Sequence, residues 1–492
     1  MTTETRSTVR LMLGWAPVEI DVGDSNQTLL QYLREDARLK GTKEGCAEGD
    51  CGACTVVIGE VQGDDVLYRA VNACILFLPA LDGKQVLTVE QVANGGLHPV
   101  QQAMVELHGA QCGFCTPGII NSLLTLHLNR GAVDRQSIDD ALAGNLCRCT
   151  GYGPIIDAAE KACATEINQD WKNRIAGARD QLLEWSQDTQ YLAIETRNGP
   201  FVAPKTSDQL ANVIADAPDA TLVAGATDVG LWVTKMGRVL NPLVSLANVA
   251  DLRSIEITDT HVNIGAGVTY SDAHEVLSDI SESLGELVRR IGSRQVRNSG
   301  TIGGNIANGS PIGDMPPALI AMGAMLRLKS AAGTRELALE DFFIGYGKQD
   351  LKPGEFVERV LVPRQVEMFR CYKISKRFDQ DITAVLGAFN LKIEAGVVVS
   401  ARIAYGGMAG TPMRASACEA ALTGAPWTMD MIENAKTAID ADFAPMTDMR
   451  ASAAYRSLTA RNLLERFYLE TQNPAIPLEL ANRSRLGAFA HD

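Results

Sequence analysis

Alternating apolar and polar positions near the start of the chain predict a small sheet. Residues 8–22 alternate on both sides of Gly14, which indicates two strands joined by a turn. Residues 26–38 follow a short polar stretch and have the pattern of one helix. Two further strands are predicted over residues 55–58 and 68–74, after a glycine-rich loop. We therefore expect one helix packed on a sheet in this part of the chain.

From residue 88 onward the apolar positions recur with the period of helices. His98 opens one predicted helix, and Ser137 opens another in a sequence typical of a capping box. Between them, Thr116 is expected to be an N-cap with Pro117 in the first helical position. A fourth helix is predicted to start near Gly153. Four short helices predict a separate helical domain.

The rest of the chain combines strands with helices. Residues 164–196 are polar and rich in Gln, Asp and Arg, so we expect a partly helical linker. A predicted strand over residues 221–224 ends in a turn of small residues. After residue 375, two strands are followed by three helices, which predicts a closing α+β domain. The predicted fold class is therefore multidomain α+β.

Length and charge narrow the class of protein. A chain of 492 residues holds about three or four domains. Its net charge of −14 disfavours nucleic acid and anionic membrane surfaces as partners, since both attract basic patches. No apolar run approaches the ~18 residues of a spanning helix, and the N-terminal apolar run is too short for a signal peptide. We therefore predict a cytoplasmic protein, in which cysteines serve metals or catalysis rather than disulfides.

Eight of the eleven cysteines lie between Cys46 and Cys149. The first four are Cys46, Cys51, Cys54 and Cys74, and this C-x4-C-x2-C spacing with a distant fourth cysteine is the plant-type spacing for one 2Fe–2S cluster. A zinc site or a disulfide knot is the alternative, although zinc usually shows C-x2-C pairs. The glycines between these cysteines permit positive φ angles, which let backbone N–H groups turn towards the cluster.

The second four cysteines are Cys112, Cys115, Cys147 and Cys149, a C-x2-C pair followed by C-x-C. Both pairs lie beside predicted helix N-termini, whose free N–H groups and positive dipole ends stabilise an anionic cluster with thiolate ligands. A structural zinc is the alternative on spacing alone. We predict a second 2Fe–2S cluster here, so the rest of the chain is interpreted as a source or a sink of single electrons.

Three loops rich in glycine and hydroxyl residues lie over residues 225–230, 300–305 and 310–314. A strand followed by such a turn exposes N–H groups that suit a pyrophosphate. None has the G-x-G-x-x-G of a Rossmann fold, and one such turn alone is more often only a tight turn. Together the three loops predict a nucleotide cradle. The six histidines show no ligand pattern, and the remaining cysteines, Cys163, Cys371 and Cys418, are interpreted as ordinary buried thiols.

Four sequence motifs resemble those of the molybdenum hydroxylases. Three surround the cysteines, over residues 44–54, 111–118 and 145–152, and the fourth covers residues 303–314. The order of the predicted domains is similar to that of the xanthine dehydrogenases in this family, and the chain ends where their molybdenum domain would begin. The resemblance therefore implies the small, electron-transferring subunit of a two-subunit bacterial enzyme.

The resemblance also implies a division of the chain. The expected segments are a plant-ferredoxin-like β-grasp 2Fe–2S domain over residues 1–86, a helical 2Fe–2S domain over 87–163, a linker over 164–196, an FAD-binding domain of the molybdopterin dehydrogenase type over 197–373, and a C-terminal flavoprotein α+β domain over 374–492.

Cofactor contacts follow from the resemblance at positions that match the family's motifs, and no catalytic residue is implied in this chain. The FAD diphosphate and ribityl would lie against Leu222, Val223, Ala224, Gly225, Ala226, Thr227, Asp228 and Val229. Further FAD contacts would come from Ile291, Thr301, Gly304, Asn305, Asp314, Lys373 and the backbone of Val357. Gln111 would touch the pterin of the molybdenum cofactor on the partner. The animal enzymes have an aromatic residue in place of Ile291 and an asparagine in place of Ala226.

The implied reaction is an electron relay. Hypoxanthine or xanthine would be oxidised to urate at molybdenum on a large partner subunit, within a heterotetramer of two small and two large subunits. Electrons would pass through the cluster of Cys112 and its partners, then the cluster of Cys46 and its partners, then FAD, and on to NAD. Neither the substrate nor the choice between NAD and oxygen is encoded in these motifs.

Three alternatives accompany this hypothesis. Two are the equivalent subunits of an aldehyde or a nicotinate dehydrogenase, and the third is a non-enzymatic iron–sulfur redox protein. The fusion of cluster and flavin domains in one chain argues against the carbon monoxide dehydrogenase type, which splits them. The predicted FAD domain argues against a protein that only holds iron–sulfur clusters.

Overall fold

A computed structural model describes residues 5–93, 96–129 and 133–472 of the chain. The first strands are β1 (Thr5–Arg6), β2 (Val9–Leu13), β3 (Ala16–Ile20), β4 (Thr55–Gln62), β5 (Asp65–Asn72) and β6 (Gln85–Leu87). Five of them form a sheet of order β3-β2-β6-β4-β5. β2 and β3 are the predicted antiparallel opening, whereas β2 and β6 run parallel.

A short helical segment covers one face of this sheet. It consists of α1 (Leu29–Gln31) and a π-helical turn, Tyr32–Asp36, within the region predicted as one helix. Thr28 caps α1 by accepting the N–H of Gln31 at 3.2 Å. Leu33 and its apolar neighbours are buried in the core beneath, and a 3₁₀ helix, Leu78–Leu81, leads into β6. One helical layer on a mixed sheet gives the expected β-grasp arrangement.

The next domain is built of helices around a shared apolar core. They are α2 (Val89–Val92), α3 (Pro99–Glu106), α4 (Thr116–Leu128), α5 (Arg135–Leu142) and α6 (Gly153–Cys163). Val100, Ile119, Ile138 and Ile155, one from each of the four longer helices, are almost fully buried in that core. This agrees with the predicted four-helix domain.

Two of these helices begin differently from the prediction. In α4, Thr116 is already helical and Cys115 is the N-cap, because the Cys115 carbonyl accepts the first helical hydrogen bond. In α5 the cap is Asp134, whose carboxylate accepts the N–H of Ser137 at 2.8 Å. Aspartate caps a helix about as well as serine and also favours the positive end of the dipole, so it takes the position expected for Ser137.

The region predicted as a linker contains one long helix and one strand. The helix α7 (Gln169–Ser186) returns to the first two domains, where the ring of Trp171 lies 5.0 Å from Trp15 and 4.7 Å from His98. The strand β7 (Tyr191–Thr196) pairs antiparallel with β8 (Gly199–Ala203). The third domain's first sheet therefore begins before residue 197.

The third domain contains two five-stranded sheets with helices packed on them. Its helices are α8 (Ser207–Asp216), α9 (Val229–Thr234), α10 (Tyr270–Ile280), α11 (Glu282–Arg289), α12 (Arg294–Ser299), α13 (Ile302–Asn308), α14 (Met315–Met322) and α15 (Leu339–Phe342), with a 3₁₀ turn, Ala250–Arg253. Its further strands are β9 (Thr221–Val223), β10 (Leu243–Ser245), β11 (Ile255–Ile257), β12 (His261–Gly265), β13 (Met325–Ser330), β14 (Gly333–Ala338), β15 (Phe343–Gly345), β16 (Lys348–Gln349) and β17 (Phe356–Pro363).

The first of these sheets has the order β1-β7-β8-β10-β9, and the second has the order β11-β12-β17-β13-β14. The first sheet is partly parallel, since β10 runs parallel to both β8 and β9. The N-terminal strand β1 joins its edge by pairing parallel with β7. The second sheet is antiparallel throughout.

The last domain is a four-stranded antiparallel sheet covered by three helices. Its elements are β18 (Met368–Ile374), β19 (Val385–Glu394), β20 (Val397–Gly406), β21 (Met413–Arg414), α16 (Ser416–Leu422), α17 (Met429–Asp442) and α18 (Ala453–Gln472). Phe389, Tyr405 and Phe467 meet in its core. Within the described ranges, no helix has both the length and the apolar character needed to cross a membrane.

Candidate cofactor sites

Cys46, Cys51, Cys54 and Cys74 come together beside the first sheet. The first three lie on the loop before β4, and Cys74 follows β5. The Cys46 thiol lies within hydrogen-bonding range of the Cys51 and Cys74 thiols, and Cys74 lies within range of Cys54. The four sulfurs therefore form one group, as a cluster with four thiolate ligands requires.

The backbone of this loop is shaped around its sulfurs. The N–H groups of Asp50 and Cys51 both donate to the Cys46 sulfur at 3.4 Å. A side chain at position 45 would not fit, because a Cβ on Gly45 would lie 2.7 Å from the Cys51 sulfur. The contact with Cys51 also lowers the pKa of the Cys46 thiol, which favours the thiolate that binds iron.

The second cysteine set lies at the N-termini of α4 and α6. Cys112 is within hydrogen-bonding range of Cys149, and Cys115 is within range of Cys147. The hydroxyl of Tyr152 accepts the Cys147 N–H at 2.8 Å and donates to a nearby carbonyl, which braces this loop. Cys112 and Cys149 are exposed, whereas the other two thiols are half-buried.

Neighbouring thiols are close to each other in both sets. In the first set, Cys46 is near both Cys51 and Cys74, and Cys74 is also near Cys54. In the second set, Cys112 is near Cys149, and Cys115 is near Cys147. This arrangement fits a 2Fe–2S cluster, which distributes four thiolates over two irons. In the part of the chain that the structure describes, no group of three or more His, Cys, Asp or Glu side chains is arranged to hold a single metal ion.

The two cysteine loops touch each other through their backbones. The N–H of Leu146, next to Cys147, donates to the carbonyl of Cys51 at 3.0 Å. A Cβ on Gly52 would lie 2.0 Å from the carbonyl oxygen of Gly144, so no side chain fits at this contact. The two candidate cluster sites are therefore held together directly, without an intervening side chain.

A cavity of about 460 Å³ lies in the third domain, beyond the end of β9. Its volume is in the range of about 300–1,000 Å³ that cofactor sites occupy. The predicted FAD residues that line it are Leu222, Ala224, Gly225, Ala226, Thr227, Asp228, Val229, Thr301, Gly304, Asn305 and Val357. Val223 is buried in the core beneath and lines neither this cavity nor the next one.

The walls of this first cavity suit a dinucleotide. A Cβ on Gly225 would lie 1.7 Å from the carbonyl oxygen of Ser299, so the turn after β9 can only be bare backbone there. Ala226 has a φ of +57°, a left-handed conformation that asparagine tolerates better than alanine. Tyr270 and Asn305 line this cavity, and among the described residues the Tyr270 hydroxyl and the Asn305 side-chain oxygen are buried without a hydrogen-bond partner.

A second cavity of about 330 Å³ continues from the first, and Asp228, Asn305 and Asn308 line both. The predicted flavin contacts Ile291, Asp314 and Lys373 line this second cavity. Lys373 donates from Nζ to Asp314 at 2.6 Å, and the Thr383 hydroxyl donates to the other Asp314 oxygen. The apolar side chain of Ile291 borders the same cavity, and a wall of both kinds suits a flat ring with one polar edge.

Part of the wall of the second cavity belongs to the first cysteine loop. Glu48, Gly49 and Asp50 line it, two to four residues after Cys46. The helix α9 holds this loop in place, because the Thr234 hydroxyl donates to the Ala47 carbonyl at 2.7 Å. The flavin end of the cavity therefore borders directly on the first candidate cluster site.

Several residues of these sites escaped prediction from the sequence. Trp232 and Tyr270 line the first cavity, and Thr383 lines the second. Trp232 could have been found, since it lies two residues after the loop over residues 225–230. Tyr270 and Thr383 come from segments without a motif. Gln111 lies apart from both cavities, exposed beside Cys112.

Four family models match the chain in sequence order. "2Fe-2S iron-sulfur cluster binding domain" matches residues 15–78, and "[2Fe-2S] binding domain" matches 88–160. "FAD binding domain in molybdopterin dehydrogenase" matches 194–365, and "CO dehydrogenase flavoprotein C-terminal domain" matches 370–471. These matches confirm the α+β fold class, the two 2Fe–2S domains in preference to zinc domains, and the FAD-binding domain.

The chain is similar to part of several longer curated proteins. It is 32% identical to "Xanthine dehydrogenase" of Emericella nidulans over 95% of this chain and 39% of that protein. It is 30% identical to "Xanthine dehydrogenase/oxidase" of Gallus gallus and 31% identical to "Xanthine dehydrogenase 1" of Arabidopsis thaliana, in both cases over 85% of this chain and 36% of the relative. The chain thus spans less than two fifths of the length of these relatives.

Solved structures resemble about half of the chain. A chain of carbon monoxide dehydrogenase from Hydrogenophaga pseudoflava matches with 28% identity and a TM-score of 0.51, over 54% of this chain and 94% of that one. A chain of quinoline 2-oxidoreductase from Pseudomonas putida 86 matches with 27% identity and a TM-score of 0.50, over 55% and 94%. Their shared architecture therefore extends across enzymes that are named for different substrates.

Proposed function

This chain belongs to the molybdenum hydroxylase family, and from that premise we propose that it is the electron-transfer subunit of a xanthine dehydrogenase. Electrons released when a partner oxidises hypoxanthine or xanthine would leave through this chain to NAD. One observation carries the proposal: an exposed cysteine set, a more buried set and a flavin-sized cavity follow each other in contact. Such an order suits a relay that leads inward from a partner.

The cofactors would supply the redox chemistry and the chain would supply ligands and spacing. When bound, the two 2Fe–2S clusters carry single electrons and FAD carries a pair. We assign Cys46, Cys51, Cys54 and Cys74 to one cluster, and Cys112, Cys115, Cys147 and Cys149 to the other. Residues of the turn after β9 would hold the FAD diphosphate with their backbone N–H groups.

The outer end of the relay has the features of a docking surface. Cys112 and Cys149 are exposed, and next to them Phe114 and Leu146 leave 46% and 48% of their surface accessible. Large apolar side chains beside exposed thiols indicate a surface that a partner covers. We propose the molybdenum-binding subunit as that partner, with Gln111 against its pterin and two copies of each subunit in the assembly.

The inner end of the relay holds a fixed polar wall for the flavin. Lys373 is only 6% exposed, and its ammonium group is balanced by the buried Asp314 carboxylate. A charge pair this deep must be well hydrogen-bonded to be tolerated, and Thr383 completes it. We propose that this trio orients the flavin ring and that NAD approaches from the open side.

A molybdenum hydroxylase with another substrate is the second candidate. The similarity to carbon monoxide dehydrogenase and quinoline 2-oxidoreductase structures supports this second candidate, because the same architecture serves different substrates. Aldehydes and nicotinate are the substrates that we would test first. Xanthine is favoured by the three curated relatives at 30–32% identity.

The test begins with the composition of the purified chain. We expect four irons and one FAD per chain, and two distinguishable 2Fe–2S signals by electron paramagnetic resonance after reduction. The chain alone should oxidise NADH with an artificial dye but should not oxidise xanthine. Zinc in place of iron, or xanthine oxidation by the isolated chain, would refute the assignment.

The direction of the relay is tested in the complex with the partner subunit. Cys147→Ser should abolish xanthine-dependent reduction of NAD and spare much of the NADH–dye activity, because the substitution interrupts the path before FAD. Cys163→Ser is the matched control, since Cys163 belongs to neither cysteine set, and it should leave both activities intact. If Cys147→Ser lost both activities while FAD stayed bound, the proposed order of carriers would be wrong.

A further inference from the structure

Gln295 lies where three domains of the chain meet. It belongs to α12 of the third domain, and its side chain is completely buried. Its amide nitrogen lies 3.3 Å from the hydroxyl of Thr55, 3.1 Å from the hydroxyl of Ser122 and 3.0 Å from Oδ1 of Asn145. One amide group of the flavin domain thus donates to both cluster domains.

The acceptors around Gln295 are fixed by hydrogen bonds of their own. Ser122 donates its hydroxyl proton to Asn145 Oδ1 at 2.6 Å, and Thr55 donates its proton to the carbonyl of Gly52 at 2.7 Å. Both hydroxyl oxygens are therefore left as acceptors. Asn145 in turn donates from Nδ2 to the same Gly52 carbonyl at 3.1 Å. The network closes on itself and accepts the Gln295 amide in one orientation.

The carbonyl oxygen of Gln295 supports that orientation. Oε1 has no hydrogen-bond partner among the described residues. A Cβ on Gly144 would lie 1.9 Å from Oε1, so the amide leaves no room for a side chain at position 144. Turning the amide over would direct Oε1 at three acceptor oxygens. A buried acceptor without a partner costs stability. Because the protein tolerates this cost at Oε1, we conclude that the site requires the hydrogen bonds donated by the amide nitrogen of Gln295.

Two of the three Gln295 partners stand next to candidate cluster ligands. Thr55 directly follows Cys54, and Asn145 precedes Cys147 by two residues. On its own side, Gln295 follows Ser293 in the turn whose residues Ile291 and Gly292 line the flavin cavity. The network therefore connects the backbone at both cysteine sets with the wall of the cavity.

We infer that Gln295 is a positioning residue that sets the spacing between the two clusters and the flavin. The inference rests on the proposed electron-transfer function. The Leu146–Cys51 backbone contact holds one cysteine loop against the other, but nothing in that contact involves the flavin domain. Gln295 links the flavin domain to both cluster domains at once, in addition to the Thr234–Ala47 contact with the first loop, through a side chain that touches no cofactor cavity.

Two substitutions separate the hydrogen bonds of Gln295 from its volume. Gln295→Met keeps the length and removes the donor. Gln295→Glu keeps the shape and makes the donor depend on pH, because a carboxylic acid donates one hydrogen bond and a carboxylate donates none. Buried carboxyl groups titrate as high as about pH 8–9. Gln209→Met is the matched control, in the capping box of α8 in the same domain.

The readouts are spectroscopic and kinetic, and the variants are first checked for full iron and FAD content. In the wild type, we expect the two reduced clusters to split or broaden each other's paramagnetic resonance signals. In Gln295→Met this interaction should weaken, and electrons from a photoreduced flavin should reach the clusters several-fold more slowly, because electron transfer slows as the carriers move apart. Gln209→Met should match the wild type.

The Glu variant distinguishes positioning from a general loss of stability. Gln295→Glu should transfer electrons at nearly the wild-type rate at about pH 6 and slow reversibly as the carboxyl ionises. Should Gln295→Met fail to fold, Ser122→Ala removes one acceptor from the helical side and should show a smaller slowing. Unchanged signals and rates in a fully loaded Gln295→Met would overturn the inference, whereas missing clusters in the wild type would instead overturn the proposed function.

Discussion

His98 combines two roles at the junction of the helical domain with α7. It caps α3 by accepting the N–H of Val100 through Nδ1 at 3.3 Å, and its ring lies 5.1 Å from that of His127 and 4.7 Å from that of Trp171. Burial, together with the nearby His127, lowers the pKa of His98 to about 3. The ring is therefore held neutral by its surroundings, and folding carries a proton-linked cost in acid.

This cost predicts how stability changes with pH. The pKa of a histidine in the unfolded chain is about 6.5, so below that value the unfolded chain binds a proton that the folded His98 rejects. Stability should fall by up to about 1.4 kcal/mol per pH unit between about pH 6.5 and pH 3 from this group alone. In His98→Asn, which keeps a capping side chain, the urea midpoint followed by tryptophan fluorescence should depend less on pH.

The control for this prediction is His261→Asn, at the start of β12, where the ring forms a hydrogen bond with the neighbouring Thr260. It should keep the pH dependence of the wild type. An unchanged pH dependence in His98→Asn would mean that other groups, His127 first among them, cause the loss of stability in acid.

At the scale of elements, periodic patterns and local spacing were sufficient to predict a helix, strand or loop wherever residues nearby in the sequence stabilise it. The strand over residues 385–394 and the loop of the first three cysteines follow directly from such patterns. The sequence did not reveal that Asp134 would cap α5, because several polar residues in that segment can act as the N-cap. Nor did it reveal Thr383 or Gln295, since each is selected by partners more than 60 residues away.

Besides its apolar contacts, the helix α18 is attached through one buried charged side chain. Arg456 is almost fully buried, donates to the carbonyls of Ala384 and Gly407, and forms a two-point ion pair with Asp448 at 2.8 Å. Although burial opposes it, hydrogen bonds from two backbone N–H groups and from Arg456 lower the pKa of Asp448 to about 2. The pair therefore stays charged throughout the neutral range.

We predict that Arg456→Met destabilises the C-terminal domain by about 2–4 kcal/mol, because two buried carbonyls lose their donor and Asp448 loses its partner. Arg461→Met on the same helix removes a more exposed ion pair with Asp440 and should cost less than about 1 kcal/mol. Urea unfolding of the two variants measures the difference. Equal effects would show that the buried contacts contribute no more than an ordinary surface pair.

At the scale of the whole molecule, a charge cluster joins the first domain to the third. Glu60 pairs with Arg69 at 3.1 Å and Lys84 at 3.2 Å in its own domain, and with Arg253 of the third domain at 3.0 Å. Arg69 reaches across to Asp272 as well. Burial opposes ionisation of Glu60, but these cations outweigh it and hold its pKa well below the usual range.

We predict that Glu60→Gln lowers the stability of this junction more than the loss of an exposed charge does. Three partly buried cations lose their shared partner, which typically costs about 3–5 kcal/mol. Glu336→Gln, which removes an exposed pair with Arg327, is the matched control and should change stability by less than about 1 kcal/mol. Thermal unfolding followed by flavin fluorescence tests this, and equal midpoints for the two variants would contradict it.

The strand β1 has a consequence for dividing this protein into parts. Thr5 and Arg6 pair with Tyr191 and Leu192, so the outermost strand of the flavin domain's first sheet is supplied from nearly 190 residues earlier in the sequence. A separately produced flavin domain would expose β7 as an edge, where other copies could add their own strands and aggregate. A flavin domain that is stable and soluble by itself would therefore have to be engineered, for example by adding β1 as a separate peptide or by placing charged residues along β7.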